Sequence, residues 1–244
     1  MCRMTGVVFR QGFPMGALID LKDVAKDGKI PGETVLGHND GWGIVSFRNG
    51  SPYYVGRSSR PISIDESYKA ASFDVSKLQG PNILIAHARA LSKGVASIPN
   101  THPFVIGGIA MCHNGTVKNI DFKPHHPVRG ETDSEMLLAR LADRAEDSGD
   151  LETAFHDLIT EDVHSREYTA AIMFVSDGKR LFAYRDYSHG KSPEYYDLRM
   201  SVSPSSVVFF QETRTEPEGM VSQIENGELV AVDLDLRVKR AMIR

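Results

Sequence analysis

WGIVSFRNGSPYYV, residues 42–55, is two strand-like runs joined by Asn49-Gly50. Asn-Gly readily supplies the two consecutive positive φ angles of a type I′ turn, so this stretch predicts an antiparallel hairpin. The same grammar recurs in YTAAIMFVSDGKRLFAYR (168–185), which turns at Asp177-Gly178, and a further hairpin is predicted around Asn226-Gly227. Further strand candidates are MTGVVFR (4–10), NILIAHARA (82–90), VIGGIAMCHNGT (105–116), YYDLRMSV (195–202) and SVVFFQE (206–212). Helical spacing appears in ALIDLKDVA (17–25), at about 132–147 and at 151–160. At the second of these, Thr132 and Glu135 have the T-x-x-E spacing of a capping box, and Met136, Leu137 and Leu141 supply an apolar face. Many antiparallel hairpins around two central helices imply an α+β architecture with stacked antiparallel sheets. No repeat, low-complexity tract or Pro/Gly/Ser-rich linker interrupts the chain, so one domain over 1–244 is expected.

Composition narrows the function classes. With 244 residues, 41% of them hydrophobic, there is ample material for a core. The formal net charge of -4 gives no nucleic-acid footprint. No apolar run approaches the ~18 residues of a membrane span, and no signal-peptide pattern opens the chain. The two cysteines, Cys2 and Cys112, exclude a disulfide scaffold and fit a reducing compartment, so a cytoplasmic location is expected. None of the nine histidines shows the i, i+4 spacing of H-E-x-x-H, no C-x-x-C pair occurs, and Gly-rich phosphate loops are absent. No metal and no cofactor are expected.

Cys2 follows the initiator methionine directly. Trimming of Met1 would leave a residue whose thiol and free α-amine share one carbon. Free groups of these types titrate near ~8.5 and ~7.7–8.0, so the pair forms a compact nucleophile and base working close to neutral pH. Taken alone, Cys2 is equally the start of an N-terminal strand. Four other segments are richer in polar residues than strand ends require. In His38-Asn39-Asp40-Gly41-Trp42-Gly43, glycines flank the single tryptophan, which is either a core anchor at a turn or part of a pocket. In His87-Ala88-Arg89, strand alternation puts both polar side chains on one face, and a buried guanidinium needs an anion. That anion is a structural carboxylate or a substrate carboxylate. His113-Asn114-Gly115-Thr116 is a turn signal and also an oxyanion site, because a side-chain amide and the next backbone N–H can point at developing negative charge. In Glu131-Thr132-Asp133-Ser134-Glu135, Asp133 either complements a helix N-terminus or binds a substrate ammonium. Cys112 reads as a buried core thiol.

In order, Cys2, DGWG (40–43), HAR (87–89), NTHPF (100–104), HNGT (113–116) and ETDSE (131–135) resemble the class II glutamine amidotransferase domain, an N-terminal nucleophile hydrolase. The likeness runs from Cys2 to about Leu141 and is greatest to the single-domain branch that includes γ-glutamyl amidohydrolases. It implies a four-layer αββα sandwich of two antiparallel sheets. It also implies that Cys2 attacks a γ-amide carbonyl through a thioester, with its α-amine as base, and that Asn114 and the Gly115 N–H hold the oxyanion. Arg89 would clamp the α-carboxylate and Asp133 the α-ammonium. His87, His102, Trp42 and Ser92 are expected as pocket support, the two histidines by hydrogen bonding. Two departures stand out. Arg89-Ala90-Leu91-Ser92-Lys93-Gly94 replaces the R-W-A-T-H-G of many amidotransferases, and Arg3, whose charge favours a nearby thiolate, follows the nucleophile. The function implied is hydrolysis of a γ-glutamyl amide. The rivals are a glutaminase subunit serving a separate synthase and a non-catalytic amino-acid-binding module that keeps Met1.

Overall fold

The computed structural model describes residues 2–28, 37–91, 95–188 and 194–243. The chain runs β1 (Arg3–Phe9), α1 (Gly16–Asp27), β2 (Trp42–Arg48), β3 (Ser51–Ser58), α2 (Glu66–Ser76), β4 (Asn82–Ala88), β5 (Phe104–Ile106) and β6 (Ile109–Val117). It continues with α3 (Asp133–Ser148), α4 (Leu151–Asp157), β7 (Tyr168–Ser176), β8 (Arg180–Arg185), β9 (Arg199–Val202), β10 (Ser206–Phe210), β11 (Met220–Gln223), β12 (Glu228–Asp233) and β13 (Val238–Met242). A seven-stranded sheet has the order β11-β9-β10-β1-β4-β2-β3, and a six-stranded sheet the order β13-β12-β8-β7-β6-β5. The strand pairs are antiparallel in both.

Three apolar seams hold four layers together. Met4, Val8, Val45, Ile83 and Ile85 of the first sheet meet Ala110, Cys112, Ile172, Phe174 and Val230 of the second. The far face of the second sheet (Met111, Met173, Val175, Phe182) packs under Leu137, Leu138 and Leu141 of α3 and Phe155 of α4. The far face of the first sheet (Val7, Phe9, Ile44, Leu84, Ala86) packs under Leu18 and Leu21 of α1 and Tyr68, Ala71 and Val75 of α2. Each sheet is thus apolar on both faces, which is why its central strands read as near-continuous apolar runs. The protein is an α+β sandwich of two antiparallel sheets between helical layers. Among the described residues no helix is long and apolar enough to cross a membrane.

Local signals worked where turn chemistry decides the geometry. Asn49 and Gly50 have φ of 52° and 76°, as a type I′ turn demands, and join β2 to β3. Thr132 caps α3 by accepting from the Glu135 N–H at 3.2 Å. The reciprocal arm of the capping box is absent, because the Glu135 carboxylate accepts instead from the N–H groups of Arg129 (3.1 Å) and Gly130 (2.6 Å). Two expectations are corrected. The stretch 105–116 is a hairpin, β5–β6, turning at Gly107-Gly108 with φ of 56° and 77°. Asn226-Gly227 is no hairpin turn: β11 pairs with β9 in the first sheet, whereas β12 belongs to the second. The Asn226 amide brackets the Tyr187 main chain at 2.9 and 3.3 Å and guides the crossing. The C-terminal hairpin joins β12 to β13 instead, its turn tied by Asp233 Oδ1, which accepts from the N–H groups of Asp235 and Arg237 at 2.9 Å each.

Candidate active site

Alternation along the strands decides what meets between the sheets. On β1, Met4 faces the second sheet, so Cys2 at the strand's start faces the same way; on β6, Cys112 faces the first sheet, and Asn114 two residues on does likewise. The two therefore meet across the layers. The Cys2 N–H donates to Asn114 Oδ1 at 3.0 Å, and Asn114 Nδ2 donates to the Cys2 carbonyl at 3.0 Å. Asn114 thus grips the Cys2 backbone as a neighbouring strand would. Its other amide proton goes to Gln211 Oε1 at 3.2 Å. Gly115 follows with φ of 154°, and a Cβ there would run into the Ala170 carbonyl, so only glycine suits this close approach.

Cys2, Arg89, His102, Gly115 and Asp133 line one cleft of about 580 Å³, within the size range of small-molecule sites. Residues 116–120 and the start of α3 complete its lining. The Cys2 thiol lies 3.7 Å from the Ala90 carbonyl. Asp133, the first residue of α3, holds the cleft wall by accepting from the Val117 N–H at 2.7 Å. Arg89 is buried, donating to the Val95 carbonyl at 3.0 Å, and its own N–H is held by the Gly41 carbonyl at 2.8 Å. Burial pushes the Arg89 pKa down, while the charges of Cys2 and Asp40 push it back up.

Three buried histidines stand at the cleft: His102 and His113 line it, and His87 packs against His102. His113 points the other way from Asn114, toward α3, with Nδ1 3.0 Å from Ser134 Oγ and Nε2 3.2 Å from the Ala170 carbonyl. His87 and His102 pack ring against ring, centroids 4.4 Å apart. Burial pushes all three pKa values below the usual histidine range, with Asp133 partly opposing at His113. With the imidazoles neutral, the charged groups lining the cleft are Arg89, Lys118, Glu131 and Asp133. The expected hydrogen bonding from His87 and His102 is corrected: no ring nitrogen of either has a hydrogen-bond partner among the described residues. Gly43 leaves room for this arrangement, since a Cβ there would strike the His102 carbonyl.

Trp42 is not among the cleft-lining residues. Its indole lies in the outer seam of the first sheet, donating from Nε1 to Asp65 Oδ2 at 3.1 Å and meeting Tyr68 edge-on at 5.0 Å. It is a core anchor, and the pocket-support expectation for it is withdrawn. Ser92 lies outside the described residues. Cys112 is fully buried between the sheets, 3.3 Å from the Met4 sulfur, and burial pushes its thiol pKa well up. Sequence reasoning missed Gln211 and Tyr195. The Tyr195 hydroxyl lies 3.4 Å from the Cys2 carbonyl, and both residues come from strand-like stretches with no motif to mark them.

Solved structures share this four-layer fold. A glutamine aminotransferase class-II domain protein from Silicibacter pomeroyi superposes with a TM-score of 0.63 at 15% identity, covering 98% of this chain and 99% of that one. The glutamine phosphoribosylpyrophosphate amidotransferase of B. subtilis superposes with a TM-score of 0.63 at 14% identity, covering the whole of this chain but 49% of that one. An uncharacterized protein of Methanocaldococcus jannaschii is 31% identical over 94% of this chain and 68% of its own length. The fold is that of class-II glutamine amidotransferase domains. A family model for class-II glutamine amidotransferases matches residues 1–218, and the chain belongs to that family.

Proposed function

We propose that the protein hydrolyses the γ-amide of glutamine or of a γ-glutamyl conjugate, releasing glutamate plus ammonia or an amine. One observation carries this reading: the Cys2 thiol opens onto the same cleft as a buried guanidinium, Arg89, and a carboxylate, Asp133. Opposite charges on two walls suit the zwitterionic end of a glutamyl group and position its side-chain amide for attack.

After Met1 is removed, the α-amine takes the thiol proton and the sulfur attacks the γ-carbonyl, forming an S–C bond. The negative charge passes to the carbonyl oxygen, where Asn114 Nδ2–H and the Gly115 N–H stabilise it. The C–N bond then breaks, the leaving nitrogen takes the proton from the α-ammonium, and a thioester remains. Water, deprotonated by the same amine, attacks the thioester and frees glutamate and the thiol. A metal or cofactor is not needed for any of these steps.

The test is glutamate release from glutamine and γ-glutamyl amides by wild type and by Cys2→Ala, on protein whose loss of Met1 has been verified by intact mass. Activity in wild type that vanishes in Cys2→Ala is expected, and equal rates would end the reading. A chain that keeps Met1 and is inactive supports the binding-module alternative. The second reading is donation of the ammonia to a synthase, as the name of the phosphoribosylpyrophosphate amidotransferase that shares this fold suggests. Release that stays negligible until a partner protein is added would favour that reading.

A further inference from the structure

Asn114 has two amide protons and, on the mechanism above, three tasks. One proton goes to the Cys2 carbonyl and the other to Gln211 Oε1. To stabilise an oxyanion, Asn114 must withdraw one of them. The Cys2 carbonyl is equipped for that loss, because it has two further donors. Arg3 Nη1 lies 3.4 Å away and the Tyr195 hydroxyl also 3.4 Å away.

Both donors are built into place. The Arg3 guanidinium is buried, lies over the Tyr195 ring with 4.1 Å to its centroid, and pairs with Glu212 at 3.2 Å. A guanidinium stacked on an aromatic face and fixed by a carboxylate keeps its N–H directions. The Tyr195 hydroxyl is backed by His38 Nε2 at 3.4 Å. Burial pushes the Tyr195 pKa up, so its hydroxyl keeps the proton it donates. Burial, with the Arg3 charge, pushes His38 down to about 3, so its imidazole is neutral, and in the Nε2–H tautomer it donates to the hydroxyl oxygen, leaving the hydroxyl proton for the Cys2 carbonyl.

We propose that Arg3 and Tyr195 are positioning residues that hold the Cys2 carbonyl while Asn114 turns an amide proton from it to the oxyanion. The inference rests on the cysteine hydrolase reading and names what fixes the nucleophile during the charge build-up. It also gives Arg3, an unusual residue after such a nucleophile, a specific task. Asn114 need not lose its grip on the chain start in order to catalyse.

The experiment is a double-variant cycle on Met1-free protein, read as steady-state glutamate release from glutamine. Tyr195→Phe and Arg3→Met are each expected to lower kcat by about tenfold with KM within about twofold, the size of one hydrogen bond to a charged or developing-charge group. Arg3→Lys, which still donates, recovers part of the loss. With Asn114→Ala already present there is no proton to hand over, so Tyr195→Phe should lower kcat no further, whereas a merely structural role gives an additive loss. Unchanged kcat in the single variants, or a full additive loss in the double variant, overturns the proposal and leaves the hydrolase reading standing. Undiminished release by Cys2→Ala overturns both.

Discussion

Trp42 and His87 sit one residue out of register on neighbouring strands, since Trp42 pairs with Ala88 and Gly43 with His87, yet they belong to opposite faces of the sheet. On the outer face, polar groups around Trp42 are matched: the indole N–H meets Asp65, whose other oxygen caps α2 through Ser67 at 3.0 Å. Burial works against the Asp65 charge, but hydrogen bonds from Ser58, Ser67 and Trp42 outweigh it and hold the carboxyl at about 2. On the inner face, the ring nitrogens of His87 and His102 find no partners among the described residues. Buried polar groups are nearly always matched in a fold built only for stability. Here two unmatched rings sit at the cleft, His102 in its lining and His87 packed against it. One face of the sheet anchors the fold, and the other, on the proposed reading, carries the chemistry.

Two substitutions separate those faces most sharply. Trp42→Ala removes a fully buried indole and strands Asp65, so it should cost about 3–5 kcal/mol of stability, measured by urea unfolding, while kcat of the protein that remains folded is unchanged. A kcat that collapses with stability intact would move Trp42 back to the cleft. Asn114→Ala should do the reverse at the reaction centre: turnover falls about 10² or more, the loss of one oxyanion donor at ~2.7–4 kcal/mol. Glutamate release, with KM compared against kcat, reads this directly.

How much of this was legible in the chain follows the same division. The hairpin at Asn49-Gly50 and the cap at Thr132 were readable because a dipeptide or a four-residue motif fixes their geometry. α2 was not read: Glu66–Ser76 buries only Tyr68, Ala71 and Val75, and its alanines, serines and charges give a weak apolar stripe. Asn226-Gly227 misled because turn chemistry is local, whereas membership of one sheet or the other depends on tertiary packing. The candidate site was legible as a set of residue types in order, and the cleft brings Cys2, Arg89, Gly115 and Asp133 together. What could not be read was the contact of Asn114 with Cys2, 112 positions apart, or the part of Tyr195 and Gln211 in it. Those depend on the stacking of two sheets, which no period in the sequence encodes.

The buried histidines sharpen the comparison through pH. His38, His87, His102 and His113 all have pKa values pushed down by burial in the folded chain, His38 to about 3. In the unfolded chain each returns to the ordinary histidine value near ~6.5. Below that pH the unfolded state binds more protons, so stability is full above about 6.5 and falls as the pH drops toward the folded values. Each histidine contributes a slope of about 1.4 kcal/mol per pH unit inside its window. Urea unfolding between pH 8 and pH 4 measures the sum. A flat profile there would mean that the imidazoles titrate alike in the folded and the unfolded chain.

His87→Leu gives the smallest effect on stability and the most telling one. Leucine has similar bulk and no ring nitrogens to bury, and replacing unmatched polar groups by apolar ones of like shape is close to neutral. Stability at pH 8 should therefore change by less than about 1 kcal/mol, and the acid slope should flatten by one histidine's share. Turnover should nonetheless fall, because His102, which lines the cleft, rests on the His87 ring. That combination, stability kept and kcat lost, is what a residue on the chemical face does; Trp42 should do the opposite. Stability lost at pH 8 with kcat unchanged would put His87 among the anchors and erase the distinction between the two faces.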